Sequence, residues 1–136
     1  EKMLDQTALI YTMVIMSAAD SNMSDDEIRT IGNICMMLPA FEGYDVDRLP
    51  QAARDCAEML DQENGLDKTI DFIANELPEE LRETAYALAC EIAAADGHIE
   101  REESRLLEIL RYRLPVGRLP AAAIERGVRA LYVRRN

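Results

Sequence analysis

Residues 94–105 read Ala94-Ala95-Asp96-Gly97-His98-Ile99-Glu100-Arg101-Glu102-Glu103-Ser104-Arg105. Residues 18–29, 76 positions earlier, read Ala18-Ala19-Asp20-Ser21-Asn22-Met23-Ser24-Asp25-Asp26-Glu27-Ile28-Arg29. Both segments carry Ala-Ala-Asp, an apolar residue three positions after the Asp, a Glu seven after it and an Arg nine after it. Each follows a small, apolar stretch with helical spacing and opens a second such stretch. The repeat therefore predicts two helical hairpins related by pseudo-symmetry, helices one and two and helices five and six. It also decides how the run Ala8 to Ala19 is read. That run imitates the apolar core of a signal peptide, but it is the partner of an internal helix, and Glu1 and Asp5 spoil a positive leader. It belongs to the fold.

Working outward, helical periodicity dominates and no useful alternating strand is found. Leu4 to Ala19 is the first helix and Ser24 to Leu38 the second, opened by a capping box of Ser24 and Glu27 and stopped by Pro39. The second helix places Ile28, Ile31, Ile34 or Cys35, and Leu38 on one face. Pro50 starts a third helix to about Gln62, Asn64-Gly65 makes a turn, and a short fourth helix covers about Asp67 to Glu76. Helices three and four form the connector between the hairpins. Pro78-Glu79-Glu80 opens the fifth helix, to about Ala95; the sixth runs from about Arg101 to Arg113. The seventh begins near Pro120, with Ile124, Val128, Leu131 and Tyr132 inward. The expectation is one all-α domain of about seven helices over residues 1–136.

Composition narrows the function. Fifteen Lys and Arg against 26 Asp and Glu give a net charge of −11, so nucleic acid is a poor partner for most of the surface. There is no Trp and aromatics are 5%, which removes the stacking platforms that hold single strands. The charge is uneven. Residues 111–136 hold seven Arg and one acid, Glu125, leaving −17 on the rest. A basic last helix packed on an acidic body explains this; a docking patch for an acidic partner or a membrane-associated complex is the sharper reading. Cys35, Cys56 and Cys90 are odd in number and distant, as expected of reduced, buried thiols in a cytosolic protein. The seven Met read as flexible core filler, most of them in or beside the first two helices.

The repeated acids are the candidate site. Asp20 and Asp96 fall where the first helix of each hairpin ends, and an acid at a helix C-terminus is unfavourable by roughly 0.3–1 kcal/mol. A local violation made twice in the same place asks for positive charge nearby. Asx-turns would account for each Asp alone, and the capping box would account for Glu27. The box fails for Glu103, because Glu100 is a poor N-cap. Asp20-x-Asn22-x-Ser24 has the spacing of the first calcium-loop ligands, but the final bidentate acid would fall at Ile31, so this is no EF-hand. An ion would need ligands from both loops: Asp20, Glu27, Asp96 and Glu103, with Asn22, His98 and Glu100 as possible additions. Calcium or magnesium suits such oxygens best. A zinc site would ask for more His or Cys than His98 offers.

Ala-Ala-Asp-Gly-x-Ile-x-x-x-Glu, complete at Ala94 to Glu103 and degenerate at Ala18 to Glu27, resembles the TerB family of tellurite-resistance proteins. Similar domains occur in membrane-anchored DnaJ-like co-chaperones. The resemblance covers about Thr7 to Leu114. It implies a bacterial, cytoplasmic, all-α domain tied to tellurite and general stress response. It also implies that the acids Asp20, Glu27, Asp96 and Glu103 chelate a metal ion. Ser21 stands where the family usually has Gly.

Three functions follow. The first is a non-catalytic acidic module that binds a divalent cation, a protein partner or both. The second is a protein-interaction scaffold without metal, docking through its acidic body or its Arg-rich last helix. The third, a carboxylate-dependent hydrolase, has little support: no G-x-S-x-G, no H-E-x-x-H and no phosphate-cradling Gly loop is present.

Overall fold

The computed structural model describes residues 2–18, 23–95 and 101–135, with side chains for 4–18, 23–95 and 103–135. Seven α-helices are described: α1 (Lys2–Ser17), α2 (Asp25–Met37), α3 (Leu49–Leu60), α4 (Gly65–Glu76), α5 (Arg82–Ala95), α6 (Arg101–Arg113) and α7 (Arg118–Leu131). Single 3₁₀ turns at Pro39–Phe41, Val46–Arg48 and Glu79–Leu81 link them. No described residue lies in a β-strand. The fold is all-α.

α1 is the central helix. Ala8, Leu9, Ile10, Met13, Val14, Ile15 and Met16 are all buried, so α1 is apolar around most of its circumference, as a helix enclosed by others must be. It packs against α5, α4 and α3. Two of its polar residues are satisfied by main-chain carbonyls. The Thr12 hydroxyl donates to the Ala8 carbonyl at 2.9 Å, and the Gln6 amide donates to the carbonyls of Ala40 and Glu42. The Gln6 bonds tie the start of α1 to the loop after α2. The run that imitates a leader is thus the middle of the core.

The remaining helices bury one face each. In α2, Ile31 and Cys35 are buried while Ile28, Ile34 and Leu38 pack at the core margin. Ile70, Ile73 and Leu77 of the α4 segment are buried, and so are Leu106 and Leu110 of α6. α5 lies between α1 and α7, which explains its run of buried small residues, Ala85, Ala89 and Ala93. Arg113 at the end of α6 bridges to Asp67 and Asp71 of α4; both carboxylates are exposed, so this pair contributes little to stability.

Three expectations are corrected. α4 begins at Gly65, two residues earlier than the turn signal suggested, because Asn64 adopts a left-handed conformation (φ 56°) and turns the chain directly into the helix. Leu131 is 75% exposed; α7 is anchored by Ala121, Ile124 and Val128, and Leu131 falls at the edge of that face. Met36 and Met37 are largely exposed as well, at the end of α2. Met13 and Met16 are core filler, as expected.

α7 is held to α5 by two reciprocal bonds. The Tyr86 hydroxyl of α5 donates to Glu125 Oε2 of α7 at 2.5 Å, and the Tyr132 hydroxyl, just after α7, donates to Glu91 Oε1 of α5 at 3.0 Å. Tyr86 is buried, and burial together with its bond to Glu125 holds the phenol far above its ordinary pKa. Replacing Tyr86 by Phe should cost about 2 kcal/mol, since it removes a donor from a half-buried carboxylate. Urea unfolding of Tyr86→Phe, Glu125→Gln and the double variant checks this. Simple additivity of the two single effects would show that the pair is not coupled.

Candidate functional site

Of the candidate ligands, Glu27 and Glu103 are described; Asp20, Asn22, Asp96, His98 and Glu100 lie outside the described residues. Glu27 stands in the first turn of α2. Its Oε1 accepts from the Ser24 N–H at 2.7 Å, and its own N–H donates to Ser24 Oγ at 3.1 Å. The capping box is therefore real. It engages one carboxylate oxygen, and no described residue hydrogen-bonds Oε2.

Glu27 also lines a small cavity, about 30 Å³, with Ser17, Thr30, Ile92 and Ala95. Ser17 is the last residue of α1, and Ala95 is the last of α5. The ends of the two repeated helices thus meet beside the first turn of α2. The space suits one water-sized occupant. Helix C-termini present unpaired carbonyl oxygens and partial negative charge, so two of them beside a carboxylate form an electronegative pocket.

Glu103 is the one charged side chain that is buried among the described residues, at 2% exposure. It is not without a partner, and no buried side-chain nitrogen or oxygen among the described residues lacks a hydrogen bond. Its place in the first turn of α6 lowers the cost of burial, because the positive end of the helix dipole faces it. A capped residue on the surface needs no such burial, so Glu27 and Glu103 occupy matching sequence positions but different environments.

Among the described residues, Arg134 brings positive charge to the end of α5. Arg134 Nη2 lies 3.4 Å from the Ala95 carbonyl oxygen, at the C-terminus of α5. A guanidinium there complements the negative end of the helix. Sequence reading missed this contact, along with the two Tyr–Glu bonds and the Arg113 bridge. All join residues about 40 positions apart, and only the excess of Arg in the last segment hinted at them.

No cluster of three or more His, Cys, Asp or Glu suited to a metal is found among the described residues. The Glu27 carboxylate that lines this space is a hard donor, suited to calcium or magnesium rather than to a soft metal. The thiols are elsewhere and inert. All three are free and buried, and burial pushes Cys35 and Cys90 up to about 11 and Cys56 up to about 12.

A family model described as tellurite resistance protein TerB matches residues 6–119. The chain belongs to the TerB family. No curated protein and no solved structure matches the chain. The TerB segment takes in α1 through α6 almost whole, with both repeated corners, and stops at the second residue of α7. The TerB helical module is therefore the part that carries the acids, and α7 with its Tyr and Arg contacts runs beyond the matched segment. No helix among the described residues is long and apolar enough to cross a membrane.

Proposed function

We propose that this TerB module is non-catalytic and binds a divalent cation, calcium or magnesium, where its two repeated corners converge. The observation that carries the reading is the meeting of the α1 and α5 ends with Glu27 around a space for one small occupant. Asp96 follows Ala95 directly in the sequence, and Asp20 follows Ser17 by three residues. Glu27 lines this space, and Asp20, Asp96 and Glu103 are the other acids of the repeat. Placed together without a counter-charge they would repel one another; an ion lets them coexist. The ion would brace the two hairpins, and the braced acidic surface would serve a protein partner in a cytoplasmic stress response.

The test is thermal unfolding with and without calcium or magnesium, after chelation. An ion that selects the folded state, present at ten times its Kd, adds about 1.4 kcal/mol and raises Tm by roughly 4 °C. Asp96→Asn and Glu103→Gln should each remove most of that rise. No response of the wild-type protein to any divalent ion at millimolar concentration would end the metal reading.

The contact of Arg134 with Ala95 favours a second reading, a scaffold without metal in which the chain supplies its own counter-charge. Arg134→Gln separates the two. If an ion binds at the corner, removing the guanidinium should strengthen the divalent response; if the scaffold reading holds, the variant loses a little stability and gains no ion sensitivity.

A further inference from the structure

A second cavity lies between α5, α6 and α7 and shares no lining residue with the corner space. Its volume is about 460 Å³, within the range that accepts small organic ligands. The walls are mostly apolar: Cys90 and Ala94 from α5, Leu107 from α6 and Val128 from α7. The polar groups differ in kind from those of the corner. Arg111 of α6 and Arg129 of α7 both line the cavity, and neither side chain has a hydrogen-bond or ion-pair partner among the described residues.

Two acids also line it, Glu125 and Glu108. Glu125 accepts the short bond from Tyr86, which fixes it as part of the α5–α7 contact. Glu108 is exposed, three residues before Arg111 on the same helix. The surroundings add to the Arg side of the balance, since residues 111–136 carry seven Arg and one acid. In a chain of net charge −11 this is the basic region, and it draws anions.

An apolar chamber lined by two unpaired guanidinium groups matches one ligand chemistry. We propose that the α5–α6–α7 cavity binds a free amphipathic organic acid, with its carboxylate held by Arg111 and Arg129 and its short apolar body against Leu107, Val128 and Ala94. Arg is the residue suited to this because its planar fork pairs both oxygens of a carboxylate. α7 supplies one wall and one of the two guanidinium groups, so the site depends on the helix that extends past the TerB-matched segment.

The experiment uses octanoate as the probe and octylamine, of equal chain length and opposite charge, as the control. Octanoate should raise Tm in a concentration-dependent manner and octylamine should not. Arg129→Gln, an exposed position that should not disturb folding, should weaken the apparent affinity at least tenfold. Val128→Trp should abolish the response by filling the chamber while leaving every charge in place. An equal response to octylamine, or an undiminished octanoate response in both variants, overturns the proposal. So does binding to vesicles of anionic phospholipid with no response to free octanoate, since the basic face would then be a membrane contact and not a chamber for an acid. None of these readouts involves a divalent ion, so they stand or fall separately from the corner site.

Discussion

Gly65→Ala is expected to destabilise the protein by about 3 kcal/mol, a large effect for the addition of one methyl group. α4 starts so close to the end of α3 that a Cβ at position 65 would lie 2.1 Å from the Leu60 carbonyl oxygen and 2.6 Å from that of Met59. These are backbone atoms of a packed helix and cannot move aside as a side-chain tip can. Relief requires shifting α4 as a whole, and with it Ile70 and Ile73, which are buried against the core. The neighbouring residue provides a control. Asn64 already holds a left-handed conformation, so Asn64→Gly should be close to neutral, while Asn64→Ala should cost about 1–2 kcal/mol. Urea denaturation of the three variants distinguishes the steric effect from the conformational one. If Gly65→Ala unfolds at the wild-type urea concentration, the close crossing of the two helices is not what fixes the turn.

The turn also shows where sequence reading succeeds and where it stops. Asn-Gly announces a break in direction from local chemistry alone, and it was placed correctly. That the glycine is needed for a close approach between helices is a tertiary fact with no local signature. The same boundary runs through the other elements. Ser24 and Glu27 announced the start of α2 because a capping box closes within four residues. Periodicity gave the buried face of α2 because this helix faces one core. It failed at Leu131: Tyr132, one residue further, still reaches Glu91 of α5, so the neighbour has not ended, and Leu131 falls at the edge of the face that packs.

The site was legible to a similar depth. The repeat of Asp and Glu picked out Glu27 and Glu103, and one of these is a fully buried acid, an unusual choice for a solvated helix start. What the pattern could not supply was their asymmetry. Glu27 is shared between a cap and a cavity wall, while Glu103 is enclosed. Nor could it supply Arg134, which reaches the end of α5 from 39 residues away. Long-range polar contacts leave no trace in periodicity, because one charged side chain on a surface resembles another until the fold brings its partner alongside. The excess of Arg in the last segment was visible. Its division into a helix-end contact, a bridge to α4 and two unpaired groups around a cavity was not.

The second large expected effect is loss of stability in alkali, and it originates in Cys56. This thiol is completely enclosed, and burial pushes it up to about 12 from an ordinary value of 9.0. Below pH 9 the folded and unfolded chains both keep the proton, and the full stabilising contribution of the buried thiol is present. Above pH 9 the unfolded chain releases the proton while the folded chain holds it. The unfolded state then binds fewer protons, so stability falls with rising pH, by about 1.4 kcal/mol per unit, until the folded thiol itself ionises near pH 12. The loss from this one group reaches about 4 kcal/mol, a large share of the stability of a domain of this size. Cys35 and Cys90 are shifted in the same direction by burial and steepen the decline. Tyr11, pushed up to about 12 by burial and then by the neighbouring Cys56 and Asp55, adds to it at higher pH. Urea midpoints measured from pH 8 to pH 11 on the wild-type protein and on Cys56→Ala provide the check. The alanine variant should start less stable at pH 8, because it leaves a small cavity, yet lose stability more slowly, so that the two profiles converge. Parallel profiles would mean that the thiol at the centre of α3 is not held neutral by its surroundings, and that the helices around it open enough to let hydroxide reach it.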